Sequence, residues 1–470
     1  ANVDYNYRNL YFAQVAMSLE SSSRFGENAS GLGLAGVKWA YFPSVQLGWA
    51  ISNEKWFPHT NAINYLLLRA GYDITGNDDI NNYAARTSFS VVSYLNKSAA
   101  HLLDNIGNDE ITYEKTGQLN LGFKSFLLNN RLGIDFNYYM RHTTNLLTLK
   151  SFDNPVAGIN NYWSNGGSMD NNGFEVTLTA KPVVSKDFNI EVGASVGHYT
   201  NKIKSLPNDD KIYLNGKKDA VGYTSSIYGT DNIATIVGQA AGSFYGYKTA
   251  GVFADDKEAA AAGKDGYLYL TDNTGAKQYF RAGDMHFVDI NGDGEISEAD
   301  KTIIGNPNPD IYGNIFASIM WKNFTLSLGF NYSLGNDVFN YSRSILEGGN
   351  NFYNQTTAMT NRWRQEGQQT DIPRISFDDA MGNSRFSDRW IEDGSYLRLK
   401  TLNLSYKVPV NSEWLQGLTI WAEASNLFTL THYLGSDPEF SASNSVLYQG
   451  IDPGNIALSR AFTFGLKINL

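Results

Sequence analysis

Residues 289 to 300 read DINGDGEISEAD, the stretch whose residue types and spacing point most directly to a defined chemistry. Asp289, Asn291 and Asp293 stand at the first, third and fifth places of an EF-hand-like loop, where side-chain oxygens curl round a hard cation. Gly294 takes the place of the sharp bend, Glu295 would offer its backbone carbonyl, and Ser297 would hold a water. Ile296 would anchor the loop to a core. Asp300 fills the last place, where a bidentate Glu is usual, a change that weakens binding or alters its geometry. The pattern predicts a bound Ca2+ in a structural role. The alternative is an Asx-rich turn that binds nothing, since Asp, Asn and Gly form turns unaided.

Other chemistry-bearing patterns carry less. Gly193-Ala194-Ser195-Val196-Gly197 matches the nucleophile-elbow spacing, but that motif needs a sharp strand-to-helix turn, and here it falls inside an alternating strand with no acid and histidine to join it. Gly31, Gly33 and Gly36 have dinucleotide-loop spacing without a strand-turn-helix unit around them. The six histidines (His59, His101, His142, His198, His286 and His432) are scattered, and Asp209-Asp210 and Asp378-Asp379 fall in connections, as solvated surface does. With no cysteine there are no disulfides or thiolate metal sites, and a net charge of -10 argues against a nucleic-acid partner. No catalytic or cofactor-binding residue is assigned, and the chain is not read as an enzyme. Tyr162, Trp163, Phe352, Tyr353, Trp363 and Trp390 mix with polar residues in the long connections, where they suit ligand stacking or plain loop packing equally.

The elements that must position these residues alternate with period two. Leu132, Ile134, Phe136, Tyr138 and Met140 interleave with Gly133, Asp135, Asn137, Tyr139 and Arg141; Phe324 to Tyr332 and Phe462 to Leu470 repeat the pattern. Similar stripes run through Tyr11 to Leu19, Val45 to Ile51, Leu119 to Phe123, Phe174 to Ala180 and Phe188 to Val196. A soluble sandwich also alternates, so the connections decide. Tight ones (Arg8-Asn9, Leu127 to Asn130, Lys181 to Lys186, Lys322-Asn323, Val408 to Gln416) take turns with long ones (Ser21 to Pro43, Thr75 to Ile111, Ser151 to Asn171, Ser205 to Asn308, Asn340 to Gly394, Thr431 to Ala457). Short periplasmic turns and long extracellular loops are the habit of outer-membrane barrels, and the reading gives about thirteen spanning strands. Since such barrels have even strand numbers, the odd count predicts first strands that precede residue 1. From Tyr396 to Tyr406 the apolar face changes phase near Thr401, which predicts a bulge, or a strand leaving the membrane, around Arg398 and Lys400.

Composition agrees with this all-β, transmembrane antiparallel barrel. The 470 residues include 29 Tyr, 26 Phe, 9 Trp and 44 Gly, which suits strands and turns. No apolar run is long enough for a membrane helix, and closed barrels are the other way to satisfy backbone polar groups in lipid. The chain opens on strand-like residues with no apolar leader, which predicts a true N-terminus upstream. Residues 204–309 are read as a long extracellular insertion that carries the cation loop.

At this point the sequence resembles a known family. SSSRFGENASG followed by YFPSVQLGWAIS (Ser21 to Ser52), EKTGQLNLGFKSFLLNNRLGIDFNYY (Glu114 to Tyr139), NNGFEVTL (Asn171 to Leu178), FVDINGDGEISEADKTIIGNPNPDIYGN (Phe287 to Asn314), RWIEDGSYLRLKTLNLSYKVP (Arg389 to Pro409) and ASNLFTLTHYLGSDPEF (Ala424 to Phe440) are similar to SusC/RagA-like TonB-dependent transporters of Bacteroidetes outer membranes. The resemblance implies the C-terminal part of a barrel of about 22 strands whose plug, TonB-contacting segment and first strands lie outside this chain. It implies TonB-dependent import of oligosaccharides or oligopeptides beneath a SusD-like surface lipoprotein, and it allows a dimer of transporter–lipoprotein pairs. Asp135, Asn137, Arg141, Glu175 and Glu423 would line the lumen. The rival readings are a passive porin, a non-transporting surface barrel, and a soluble β-rich carbohydrate-binding enzyme.

Overall fold

The computed structural model describes residues 1–470 except 35, 59, 95–96, 157–158, 411–413, 441, 444–445 and 470; His59 and Leu470 therefore lie outside the described residues. The chain divides into two compact units, Ala1–Pro182 with Gly193–Pro207, and Val183–Val192 with Asn208–Leu470.

In the first unit the sheet is an up-and-down meander of β1 (Asn2–Tyr7), β2 (Tyr11–Glu20), β3 (Val37–Ala50), β4 (Ile63–Asn77), β5 (Glu114–Leu127), β6 (Leu132–Thr144), β7 (Ser168–Val184) and β8 (Phe188–Ser205), each paired with the next. The second unit continues the same plan with β9 (Ile311–Trp321), β10 (Phe324–Leu334), β11 (Tyr396–Val408), β12 (Gly417–Thr431) and β13 (Ala461–Asn469). Among the described residues these are thirteen long antiparallel strands, the number the alternation predicts. No described helix is long and apolar enough to cross a membrane.

Register turns the sequence pattern into two faces. Val45 pairs with Val15 and Tyr72, Leu121 with Ala70 and Tyr138, and Phe136 with Phe123 and Val176, so one side of the first unit is a continuous apolar field. In the second unit Leu326 stands between Ile319 and Leu404, and Ala422 between Leu404 and Phe464. Many of these side chains are exposed, Phe464 to 79% of its surface. Water would not tolerate an apolar field that wide on a monomer, and lipid does. The tight turns carry the backbone such turns need: Arg8 and Asn9 have φ of 53° and 52°, and Leu128, Asn129 and Asn130 are likewise left-handed.

The long connections are richer than the spacing implied. Strands Ser88–Tyr94 and Lys97–Asn105 form a hairpin inside the second long connection, and Leu147–Val156 pairs with Ile159–Asn165 in the third. Wall strands also overrun the expected loop boundaries: β3 starts at Val37 and β7 at Ser168. Once a strand leaves the apolar zone both its faces meet water, so the alternation that announced it disappears.

In the second unit, residues between β8 and β9 build a five-stranded sheet that runs from Lys211–Leu214 at one edge through Ser243–Tyr247 to Lys301–Gly305 at the other, with hairpins around it. Phe253, Phe280, Met285, Phe287 and Ile296 form a core beside this sheet, joined to it by Tyr247. A second core gathers Ile227, Ile233, Phe244, Phe339, Trp390 and Ile451 from three separate connections.

The phase change in β11 is a bulge. Gly329 of β10 pairs with Thr401 while Phe330 pairs with Leu399, and the same shift appears against β12. Lys400 is the extra residue. Its insertion keeps Leu397 and Leu399 on the face of Leu402 and Leu404 while Arg398 turns to the other side.

Candidate functional site

The loop at 289–300 bends at the glycines its sequence offers for the turn. Gly294 takes φ of 85° and Gly292 of 74°, which only glycine adopts without strain. Asp289 accepts the Gly292 and Gly294 amides at 2.7 Å each; Asn291 Oδ1 accepts Asp293 N–H at 3.0 Å, and Asp293 Oδ1 accepts Glu295 N–H at 2.8 Å. Tyr269 N–H donates to the Gly294 carbonyl and Ile296 N–H to the Tyr269 carbonyl, a parallel bridge that straddles Glu295. Glu295 therefore presents its own N–H and C=O on the opposite edge, beside Asp293. Ile296 is buried with Phe253, Phe280 and Phe287, the anchoring expected of it.

Asp300 is fully buried. Its carboxylate accepts the Ile290 amide at 2.8 Å and the Ser297 amide at 2.9 Å, closing a capping box in which Ser297 Oγ accepts Ala299 N–H. Burial pushes its pKa up, and the nearby Asp289 charge adds to the rise. Two neighbouring carboxylates, one of them buried, plus an amide oxygen and an outward carbonyl make a donor set that suits a hard cation. Among the described residues, however, no three His, Cys, Asp or Glu side chains converge as a metal cluster; the carboxylates are turned onto the loop's own amides, and Asn291 Nδ2 donates to Asp293 Oδ2 at 2.7 Å.

The predicted lumen residues all lie on the polar side of the wall. Asp135 pairs with Arg69 and lies 4.0 Å from Lys124 Nζ. Asn137 is flanked by Gly122 and Glu175, and Asn403 Nδ2 donates to Glu423 at 3.1 Å. Arg141 Nε donates to Gln118, Gln118 to Asn120, and Gln46 to Asp73, so a polar lattice spans β3 to β6. Ser195 sits mid-strand on this same side, with no elbow around it.

The second unit adds what the sequence did not disclose. Beside the Lys400 bulge, Arg398, 1% exposed, is ion-paired with Asp437 and lies 3.2 Å from Glu439, which also holds Lys400 at 3.1 Å. The connection after β12 is thus pinned to the wall by four charges. The aromatic candidates separate: Trp390 is a core residue at 1% exposure and Trp363 Nε1 donates to the Ala254 carbonyl, so neither is a ligand platform, whereas Phe352 and Tyr353 are open and Phe352 lies 5.0 Å from Phe377. Tyr228, Tyr341 and Tyr448, which the sequence did not single out, come together from three connections.

Comparison with known proteins agrees with this geometry. The chain is 30% identical over 99% of its length to TonB-dependent receptor P3 of Formosa agariphila, and 27% identical over 99% to TonB-dependent receptor SusC of Bacteroides thetaiotaomicron. Among solved structures, the RagAB peptide importer in its closed-closed state superposes with a TM-score of 0.76 at 25% identity, covering 99% of this chain and 47% of that one. The chain spans less than half the length of the two receptors, 44% and 43%. No protein-family model matches it.

Proposed function

We propose, for a chain that is SusC/RagA-like and forms TonB-dependent-receptor barrel wall in the outer membrane, that it serves TonB-dependent import of oligosaccharides or oligopeptides. The observation that carries the reading is the two-faced wall, an apolar field outside and a lattice of Arg69, Asp73, Gln118, Asp135 and Arg141 inside. Such a face offers hydrogen bonds to a polar cargo at every second residue. A SusD-like surface lipoprotein is the partner this reading supplies for the long connections. The open cluster of Phe352, Tyr353 and Phe377 supports it, since exposed aromatics of that size mark protein contacts.

The cation loop is assigned a structural role within this reading. Asp289, Asn291, Asp293, the Glu295 carbonyl and Asp300 would hold Ca2+, with Ser297 carrying a water, and the ion would neutralise paired carboxylates and stiffen the region after β8.

Uptake by cells with and without TonB tests the import reading. Cargo accumulation that depends on TonB is expected; unchanged uptake in its absence would leave a passive porin, and no uptake in either strain would leave a non-transporting surface barrel.

A further inference from the structure

The hairpin Lys217–Ile227 and Thr230–Ile236 turns through two residues, Tyr228 and Gly229, with φ of 54° and 85°. Gly, Asn or Asp belongs at the first of these places, and a tyrosine there is strained. The strain is held by design of the neighbours: Asn232, wholly buried, accepts Ile227 N–H and donates to the Ile227 carbonyl, both at 3.1 Å. The side chain so presented does not bury itself. Tyr228 is 42% exposed, with one face stacked on Tyr341 at 4.3 Å and 16° and an edge against Tyr448 at 6.1 Å and 87°. Tyr341 is backed in turn by Phe339, a member of the buried core.

We propose that Tyr228, Tyr341 and Tyr448 form a rigid aromatic platform that stacks against a neutral sugar ring of an oligosaccharide cargo. The inference rests on the import reading and narrows its cargo. A flat, pre-fixed ring with one open face loses little entropy on binding and suits the C–H face of a pyranose. A hydroxyl adjoins the platform in sequence: Ser342 follows Tyr341 and lies against Gly454. The Asp452 carboxylate acts on the Tyr228 hydroxyl and would repel a peptide carboxylate placed beside it.

The test uses the intact transporter purified in detergent, with calorimetric titration of neutral hexasaccharides (maltohexaose, cellohexaose, laminarihexaose) and of tyrosine-containing hexapeptides. Wild type is expected to bind at least one hexasaccharide, and Tyr228→Phe to bind it within about twofold because the stack survives. Tyr228→Gly removes the ring and relieves the backbone, so it should fold at least as stably while binding about tenfold more weakly. Unchanged affinity in Tyr228→Gly, or binding of peptides alone, overturns the proposal. TonB-dependent uptake of the bound sugar is followed in parallel: uptake that ignores TonB defeats the import reading and leaves the platform to stand or fall on the titration.

Discussion

Single residues in the cation loop set opposing demands that can be separated. Asp300 is the acceptor for two buried amides, so Asp300→Ala should lower stability by about 1–3 kcal/mol for each amide left unpaired, read as a drop in the melting temperature with or without added calcium. If the loop binds calcium as proposed, the ion would stabilise wild type by about 2.7 kcal/mol at a hundredfold excess over Kd, and Asp289→Ala should abolish that gain. A wild-type melting temperature that ignores millimolar calcium would leave the loop as an Asx-rich turn. His286 supplies the pH response. It is stacked on Phe253 at 4.3 Å, and burial lowers its pKa, only partly offset by Glu258. The fold therefore prefers the neutral ring. Its stabilisation is complete above the unfolded value of about 6.5 and declines as pH falls below it, because the unfolded chain takes up the proton first. Replacing His286 with Phe, which keeps the stack, should flatten the melting profile between pH 7 and the acid side of that value.

At the scale of elements, the sequence disclosed what lipid dictates and hid what water and packing dictate. Period two survives wherever one face meets lipid and the other the lumen, so Leu132 to Met140 and Phe324 to Tyr332 were readable as strands with their faces assigned. Ser243–Tyr247 is buried on both sides and carries no alternation; Tyr228 and Tyr341 meet only in three dimensions, and nothing local to either announces it. The bend of the 289–300 loop was legible because its Asp, Asn and Gly residues are local, yet the hydrogen bonds that turn its carboxylates onto its own amides were not. The bulge in β11 was visible as a phase error, and its purpose appears only with Asp437 and Glu439 in place. Deleting Lys400 removes the extra residue, so either the upper half of β11 slips and sends Arg398 outward, or the ion cluster breaks. An Arg on the lipid side costs about 2–4 kcal/mol near mid-membrane. The deletion should thus reduce the heat-resistant folded band on gels, whereas Lys400→Gln, which keeps the bulge and loses one ion pair, should keep most of it.

The molecule as a whole is defined by which side of its wall faces lipid, and that assignment can be inverted one residue at a time. Leu326 and Ser327 are neighbours in β10, flanked by the same strands, yet Leu326 lies between Ile319 and Leu404 while Ser327 lies between Ser318 and Asn403. Local strand propensity is nearly the same for an Arg at either place, so a difference between the two variants reports the medium on each side. If the Leu326 side meets hydrocarbon, Leu326→Arg destabilises the barrel by about 2–4 kcal/mol in urea unfolding from liposomes, and Ser327→Arg, on the side of Ser318 and Asn403, costs about 1 kcal/mol or less. A soluble fold with a buried apolar side would also penalise Leu326→Arg, so fractionation completes the argument: the wild-type chain should remain with the membranes through a carbonate wash and require detergent for release. Equal tolerance of the two substitutions, together with release without detergent, would overturn the barrel-wall reading of both units.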